Sequence, residues 1–499
     1  SSDNDDDDNN DDSVDDDTDD DDTADDDTID DDDTGPDDVY VSVNGDDANP
    51  GTQTEPKQTI TAGVELAATG ATVYVAAGTY NESIAVSGVS LLGGYEDAGW
   101  TRDIAANQTI IEGLVDQPAL TITGDEAKSA VEVSGFIFRG NTSSADAFGV
   151  KIIDDANVKF NDNVVTVLQS EQPTKLGKEF PFDGSSFGVY IADSTIEITN
   201  NDISGNGGST ASYLSFALYL DHATITILNN NINGGKSDAG SYGVFLCHES
   251  VAEFNSNDID GGLINGDRQD NSTAIYVDNA LSTTVVNNSI TGGEGYYTIG
   301  LRFTGCDLVV ANNMIDGGKG LYGSSGIIIL SSIKTEIVNN SIFGGLTGIT
   351  DAIQSAESSD AAFLLNNILD AGMGEDNSIC LRMLYEEFSY LKATLIHNDF
   401  YDPDGDCLVM DHDVCIDDIA EVNACEFEGC VEASGNISAE PLWVSADDFH
   451  LTAGSLCIDA GIDPAPWYDG DLADYDFDGD PRPSGSGWDI GADEVAARF

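Results

Sequence analysis

NNSITGG at 287–293, NNMIDGG at 312–318 and NNSIFGG at 339–345 are copies of one unit. An Asn holds the equivalent place at Asn163, Asn201, Asn230, Asn257, Asn288, Asn313, Asn340, Asn367 and Asn398. A second column precedes it, a small residue followed by three mostly apolar or aromatic ones. It reads Gly188, Ala217, Gly243, Ala274, Gly300, Gly326, Ala352, Cys380 and Cys407, in steps of 26 to 31 residues. Two columns keeping step over nine repeats predict a single solenoid, because each repeat packs only on its neighbours. The fold class expected is all-β: a right-handed parallel β-helix with three-strand coils of about 27 residues.

Each column has a physical reason. Strands of successive coils stack about 4.8 Å apart. Asn tolerates the left-handed backbone of a sharp bend, and stacked amides can bond along the column. Small residues permit a tight bend or a close backbone approach. The Ile after each Asn is expected to point inward. The Gly-Gly opens loops of variable length, among them 169–186, 205–214, 233–242 and 262–272, all on one side of the stack.

Outward from the repeats, Val39–Val43 alternates as a strand and ends in the turn pair Asn44-Gly45. Ile60, Val64, Ala67 and Ala68 fall at helical spacing, with Gly70 as a stop. One short helix ahead of many strands suits a lid over the open end of a solenoid, which would otherwise expose strand edges. Residues 1–38 hold 23 Asp and no basic residue. Like charges at that density cannot collapse, so this segment reads as a solvated tether. The organisation expected is tether 1–38, cap and first coils 39–115, repeats 116–446, and a C-terminal closing segment 447–499.

The formal charge is −76, with 93 acids against 17 Lys and Arg. Nucleic-acid binding is excluded, since it needs basic clusters that are missing, and anionic membranes are repelled. Divalent cations are attracted. No run of about 18 apolar residues exists to span a membrane. A chain opening Ser1-Ser2-Asp3 without Met is read as processed and exported, and eight cysteines fit one or two disulfides.

Both flanks carry a resemblance. Residues 39–95, with Asn44-Gly45-Asp46, Asn49-Pro50-Gly51-Thr52 and VYVAAGTYNE, resemble an uncharacterised bacterial domain that opens many pectin-lyase-like β-helices. Residues 447–495, DFHLTAGSLCIDAG and then DFDGDPRPSGSGWDIGADE, are similar to the closing segment of secreted bacterial β-helix proteins. The resemblance implies the fold and a secreted or cell-surface location, and leaves activity open.

For catalysis, the paired Asp with GHG and RIK-like segments of polygalacturonases are absent. A lyase would need a basic residue beside cation-binding carboxylates. Arg302 and Arg382 stand at one register three coils apart and could line a groove, although an outward Arg more often pairs with an acid such as Glu386 or Glu387. His222, His248, His397, His412 and His450 are read as falling at different registers and forming no metal cluster. His397 replaces the first Asn of its pair. Asp474, Asp476, Asp478 and Asp480, closed by Gly479, make the first half of an EF-hand-type loop and are the candidate Ca²⁺ ligands. Gly485 stands where a full loop needs Glu, so a complete EF-hand is rejected. Arg482, Asp489, Asp493 and Glu494 could lock the same turn by ion pairs. Among cysteines, Cys380–Cys407 and Cys425–Cys430 are the plausible bonds, and Cys247 and Cys306 lie too far apart.

Two functions remain open. One is a non-catalytic extracellular structural or surface protein that binds cations and self-associates into a homopolymer. The alternative is a secreted polysaccharide-binding protein or polysaccharide lyase, with an extracellular glycan as partner. Exposed aromatics at one register would favour glycan binding. A basic residue facing paired Asp would favour lyase chemistry.

Overall fold

The structure is a computed structural model. It describes residues 35–495 except 126–128, 143–145, 170–183, 209–211, 266–270, 333, 357–360, 375–376, 385–391 and 467–473. Most of the Asp-rich tether therefore lies outside the described residues, as do Glu386 and Glu387.

The coils build three sheets of 14, 12 and 14 strands, parallel except where Cys407–Asp411 meets Val414–Ile416. One coil shows the path: Thr335–Val338 lies in the first sheet, Ser341–Phe343 in the second and Ile349–Ala356 in the third. The chain then returns to the first sheet at Ala361–Leu365, where Ile337 pairs with Leu364. Alternate side chains fill the lumen, so Ile203, Ile232, Ile259, Ile290, Ile315 and Ile342 are buried, as their place after each Asn predicts. The chain is a right-handed parallel β-helix.

The Asn column is a continuous ladder. The backbone N–H of Asn288 donates to Oδ1 of Asn313, that of Asn313 to Asn340 and that of Asn340 to Asn367, at 2.8–2.9 Å. Each Nδ2 also donates to main-chain carbonyls, as Asn340 does to Val310 and Val338. The left-handed residue is the one before the ladder Asn, with φ of 54° to 58° at Asn200, Asn229, Asn287, Asn312, Asn339 and Asn366. The two properties expected of one Asn are thus divided between two neighbours. His397 takes the left-handed place with φ 49°. Two members escape the repeat spacing: Asn398 donates to Asn436, and Asn436 to Asn423 on the helix Ile419–Ala424.

The small column marks a close approach. A Cβ on Gly326 would stand 2.5 Å from Ile342 Cγ2 and 2.7 Å from the Ala352 carbonyl oxygen. Its last member needs correction. Ile379 pairs with Cys407 and Leu381 with Val409, so Leu408 stands opposite Cys380. A one-residue slip turns a side chain to the opposite face of the strand. The Cys380–Cys407 bond therefore does not form, and Cys380 is a buried free thiol. Cys407 bonds Cys415 instead, across the antiparallel pair Cys407–Asp411 and Val414–Ile416. Cys425–Cys430 forms as expected, and Cys247 and Cys306 are not joined.

Both ends of the stack are covered. The helix Ile60–Leu66, capped by Thr59, places Ile60 and Gly63 over Val41 and Val73. At the other end Ile416 and Val422 close the lumen. The segment 233–242, expected as a loop, mostly belongs to a long third-sheet strand, Lys236–Cys247, paired with Ser212–Asp221.

Residues 443–466 and 474–495 lie along the outer side of the second sheet. Phe449, Trp443, Phe477 and Ala492 pack on Met314 and Phe343, and Ile490, Leu451 and Cys457 pack on Ile368. The outward column of that sheet changes accordingly. Asp202, Asn231 and Asp258 are exposed, whereas Met314, Ser341 and Ile368, in the same register, are buried. Side-chain bonds fasten the segment: Asn312 Nδ2 donates to the Tyr475 carbonyl, and Asn366 Nδ2 to that of Ile462.

Candidate functional site

The outer face of the third sheet carries two aromatic columns. Phe148, Phe187, Phe216 and Tyr242 stack with centroids 5.0–5.1 Å apart, the spacing expected of successive coils. Beside them run Tyr190, Tyr219, Phe245 and Tyr276. Cations end the second column: Lys151 Nζ lies 5.6 Å from the Tyr190 ring, and the Arg302 guanidinium 4.9 Å from that of Tyr276.

A groove of about 500 Å³ continues this face. Arg302, Ile328, Gln354 and Arg382 follow one another at one register, confirming the alignment of the two arginines. Tyr297 and Tyr322 line the groove, with Asn271 and Asn377 as amides. Tyr322 is 49% exposed and touches both Tyr296 and Tyr297. Arg382 pairs with Asp351, its Nε lying 2.9 and 3.0 Å from the two carboxylate oxygens. The partner is thus Asp351 on the preceding coil, while Glu386 and Glu387 fall outside the described residues. Burial raises the Asp351 carboxyl to about 6, against the lowering pull of Arg382. Among the described lining residues Asp351 is the one carboxylate, so these residues supply no pair of acids at the roughly 5–9.5 Å used by glycosidases.

The four candidate Ca²⁺ ligands separate. Asp476 is buried: its Oδ1 accepts the N–H groups of Asp478 and Asp480, and its Oδ2 that of Glu494. Asp474, Asp478 and Asp480 are exposed. Asp478 meets His450 Nε2 at 2.9 Å, and Asp493 completes a group with them whose ligand atoms lie within 4.8 Å of one another. Burial alone would lower the His450 pKa, but its hydrogen bond to Asp448 and the charge of Asp478 raise it. Beneath this turn Arg482 is fully buried, with its guanidinium on Glu494 and on the carbonyls of Asp489 and Gly491.

The interface beneath 443–495 is rich in carboxyls. Asp399 accepts from Cys457 Sγ at 3.1 Å and from the Ala439 N–H, and Asp370 from Trp443 Nε1. Burial raises Asp316 and Asp370 to about 6 and Asp399 to about 7. A carboxyl raised on folding takes up a proton, and the stability this gives is full below its unfolded value, near 4, and lost as pH climbs through its folded value. Docking of the segment is therefore expected to weaken between pH 4 and pH 7. Melting followed across that range should show the loss, and Asp399→Asn should flatten the slope. A slope unchanged by the substitution would assign it to general self-repulsion instead.

A family model described as a protein of unknown function (DUF1565) matches residues 43–257. Among functionally curated proteins none matches. The Dettilon tailspike protein is similar at 14% identity and TM-score 0.39, over 74% of this chain and 63% of that one. A complex of XylC with xylose is similar at 10% and 0.42, over 91% and 98%. The pectate lyase Pel9A is similar at 11% and 0.39, over 92% and 97%. The chain thus spans less than two thirds of the tailspike protein, and none of these likenesses carries an assignment of activity.

Sequence reasoning found the two arginines and missed Asp351, Tyr297 and Tyr322. The aromatic column was visible as the third letter of Gly188-VY, Ala217-LY, Gly243-VF and Ala274-IY. The histidine reading needs correction. Asp221 pairs with Cys247, so His222 and His248 follow it at one register, and their rings stack 5.4 Å apart.

Proposed function

We propose that the chain is a non-catalytic, exported β-helix protein that binds a neutral glycan along the third-sheet groove. The observation that carries this is the groove itself, where the Tyr297 and Tyr322 rings meet a line of guanidinium and amide groups. Sugars stack their C–H faces on aromatic rings and bond their hydroxyls to such polar groups, and concave sites of this kind are where ligands bind. A net charge of −76 disfavours a polyanion. The Asp351–Arg382 pairing leaves neither residue free as acid or base, which supports binding over cleavage. Covered ends speak against end-to-end self-assembly. The same reading keeps a divalent cation at the C-terminal turn, centred on Asp478 and Asp493 rather than on all four predicted aspartates. Ca²⁺ should then raise the melting temperature more than NaCl of equal ionic strength.

Binding to immobilised neutral and acidic polysaccharides tests the proposal. Tyr322→Ala, at an exposed site, is expected to weaken retention on a neutral glycan about tenfold, the effect of roughly 1.4 kcal/mol of lost stacking. Equal retention of variant and parent would remove the groove from consideration. Product release that disappears in Arg302→Ala or Arg382→Ala would establish catalysis instead.

A further inference from the structure

The corner between the third and first sheets is built from left-handed residues on successive coils, Asp193, His222, His248, Asn279 and Gly305, with φ from 45° at His248 to 64° at Gly305, and Glu249 adds a second on the His248 coil. Glycine adopts this backbone freely, and Asn, Asp and His are the other residues enriched in it. Histidine occupies this corner on two successive coils. Both imidazoles turn Nδ1 to the same atom, Asp221 Oδ1, at 2.7 Å for His222 and 2.9 Å for His248. The two rings are exposed, while Cys247 beneath them is buried. Its Sγ, the Asp221 carboxylate and a His248 nitrogen lie within 4.8 Å of one another. A depression of about 360 Å³, lined by Asp155, Asp193 and His222, opens the corner to solvent.

We propose that His222, His248 and Asp221, with Cys247 as a further ligand, form a binding site for a borderline divalent transition metal such as Zn²⁺. Two imidazole nitrogens, a carboxylate and a thiol make a donor set suited to Zn²⁺ and unsuited to Ca²⁺ or Mg²⁺, which take oxygen ligands. Tetrahedral ligands at about 2.05 Å from Zn²⁺ lie about 3.3 Å apart, so each Nδ1 needs to draw back from Asp221 Oδ1 by only about half an ångström. Asp221, Cys247 and His248 already lie within 4.8 Å of one another, and His222 swings in from its place on Asp221 to join them. Exposed side chains can do so. The ion replaces the contacts between the imidazoles and Asp221: each ring binds through its Nδ1 lone pair and carries its proton on Nε2, and Asp221, which now orients both rings, becomes a direct ligand. Cys247 enters as thiolate, losing its proton to solvent when the metal arrives. The site is on a different edge of the coil from the groove and stands without the glycan reading.

The test uses the full chain, Zn²⁺ for affinity and Co²⁺ as a spectroscopic probe. About one equivalent of Zn²⁺ should be retained in a large excess of Ca²⁺, and Co²⁺ should give tetrahedral d–d bands, with a thiolate charge-transfer band if Cys247 binds. His248→Asn is a safe variant, because Asn279 holds the same corner one coil on. It should weaken Zn²⁺ binding at least about tenfold, and His222→Asn with His248→Asn should abolish it at an unchanged melting temperature of the metal-free protein. Zn²⁺ binding that Ca²⁺ displaces, or that survives in the double variant, would overturn the proposal, as would no binding by the parent chain. A missing charge-transfer band would remove Cys247 and leave a His₂Asp site completed by water only if the double variant still loses Zn²⁺.

Discussion

Arg482→Met is expected to release residues 443–495 from the side of the second sheet. The Arg482 and Glu494 side chains are both fully buried, and Asp476, Asp489 and Asp493 lie in the same knot. One guanidinium therefore serves several carboxyls. Burial already raises Asp476, Asp493 and Glu494, and Asp489 to about 6. Removing one partner of a buried pair leaves an uncompensated charge and costs about 3–5 kcal/mol. That loss falls on the segment first, because the lumen does not depend on it. Limited proteolysis should cut the variant within 443–475 while the coils resist. Arg482→Met combined with Glu494→Gln should recover part of the loss. If the single variant resists protease as the parent does, the ion pair is not what holds the segment.

Asn288→Ala is the second large effect, and it falls on the coils. Asn288 is fully buried. Its Nδ2 donates to the carbonyls of Phe254 and Val286, and its Oδ1 accepts the backbone N–H of Asn257. Alanine removes the partner of the buried Asn257 N–H and of the Phe254 carbonyl, at about 1–3 kcal/mol each, while the Val286 carbonyl keeps the Ser256 N–H, so a destabilisation of at least about 2 kcal/mol is expected. The neighbouring Asn287→Gly should cost little. Asn287 is only partly buried with φ 56°, a conformation that glycine adopts freely. Chemical denaturation of the two variants separates the roles. Equal losses would mean that the left-handed bend, not the amide ladder, sets the stability of the corner.

These two neighbours show what the sequence determined. The period, the parallel stacking, the inward Ile column and the small residues of the close approach follow from local rules that every coil repeats, so nine copies report them together. The helix over Ile60–Leu66 was legible because it obeys its own period. Division of labour within the Asn pair was not legible, since both letters are Asn and only the backbone tells them apart. The slip that moves Cys407 out of the small column escaped for a related reason. It occurs where no further parallel third-sheet strand follows Cys407–Asp411, and the chain turns into an antiparallel hairpin.

Tertiary structure alone decided the contacts that join distant parts of the chain. Met314, Phe343 and Ile368 look like misplaced outward apolar residues until 443–495 covers them. Arg382 finds Asp351, 31 residues away, because one coil sets them side by side. Loops of unequal length hide that register in the sequence, as they hide the meeting of His222 and His248 on Asp221, 26 residues apart at a corner where neither is required for the turn. A repeat makes its own backbone readable, because the same constraint recurs. A site made by single residues on neighbouring coils recurs nowhere, and only the stacking brings it together.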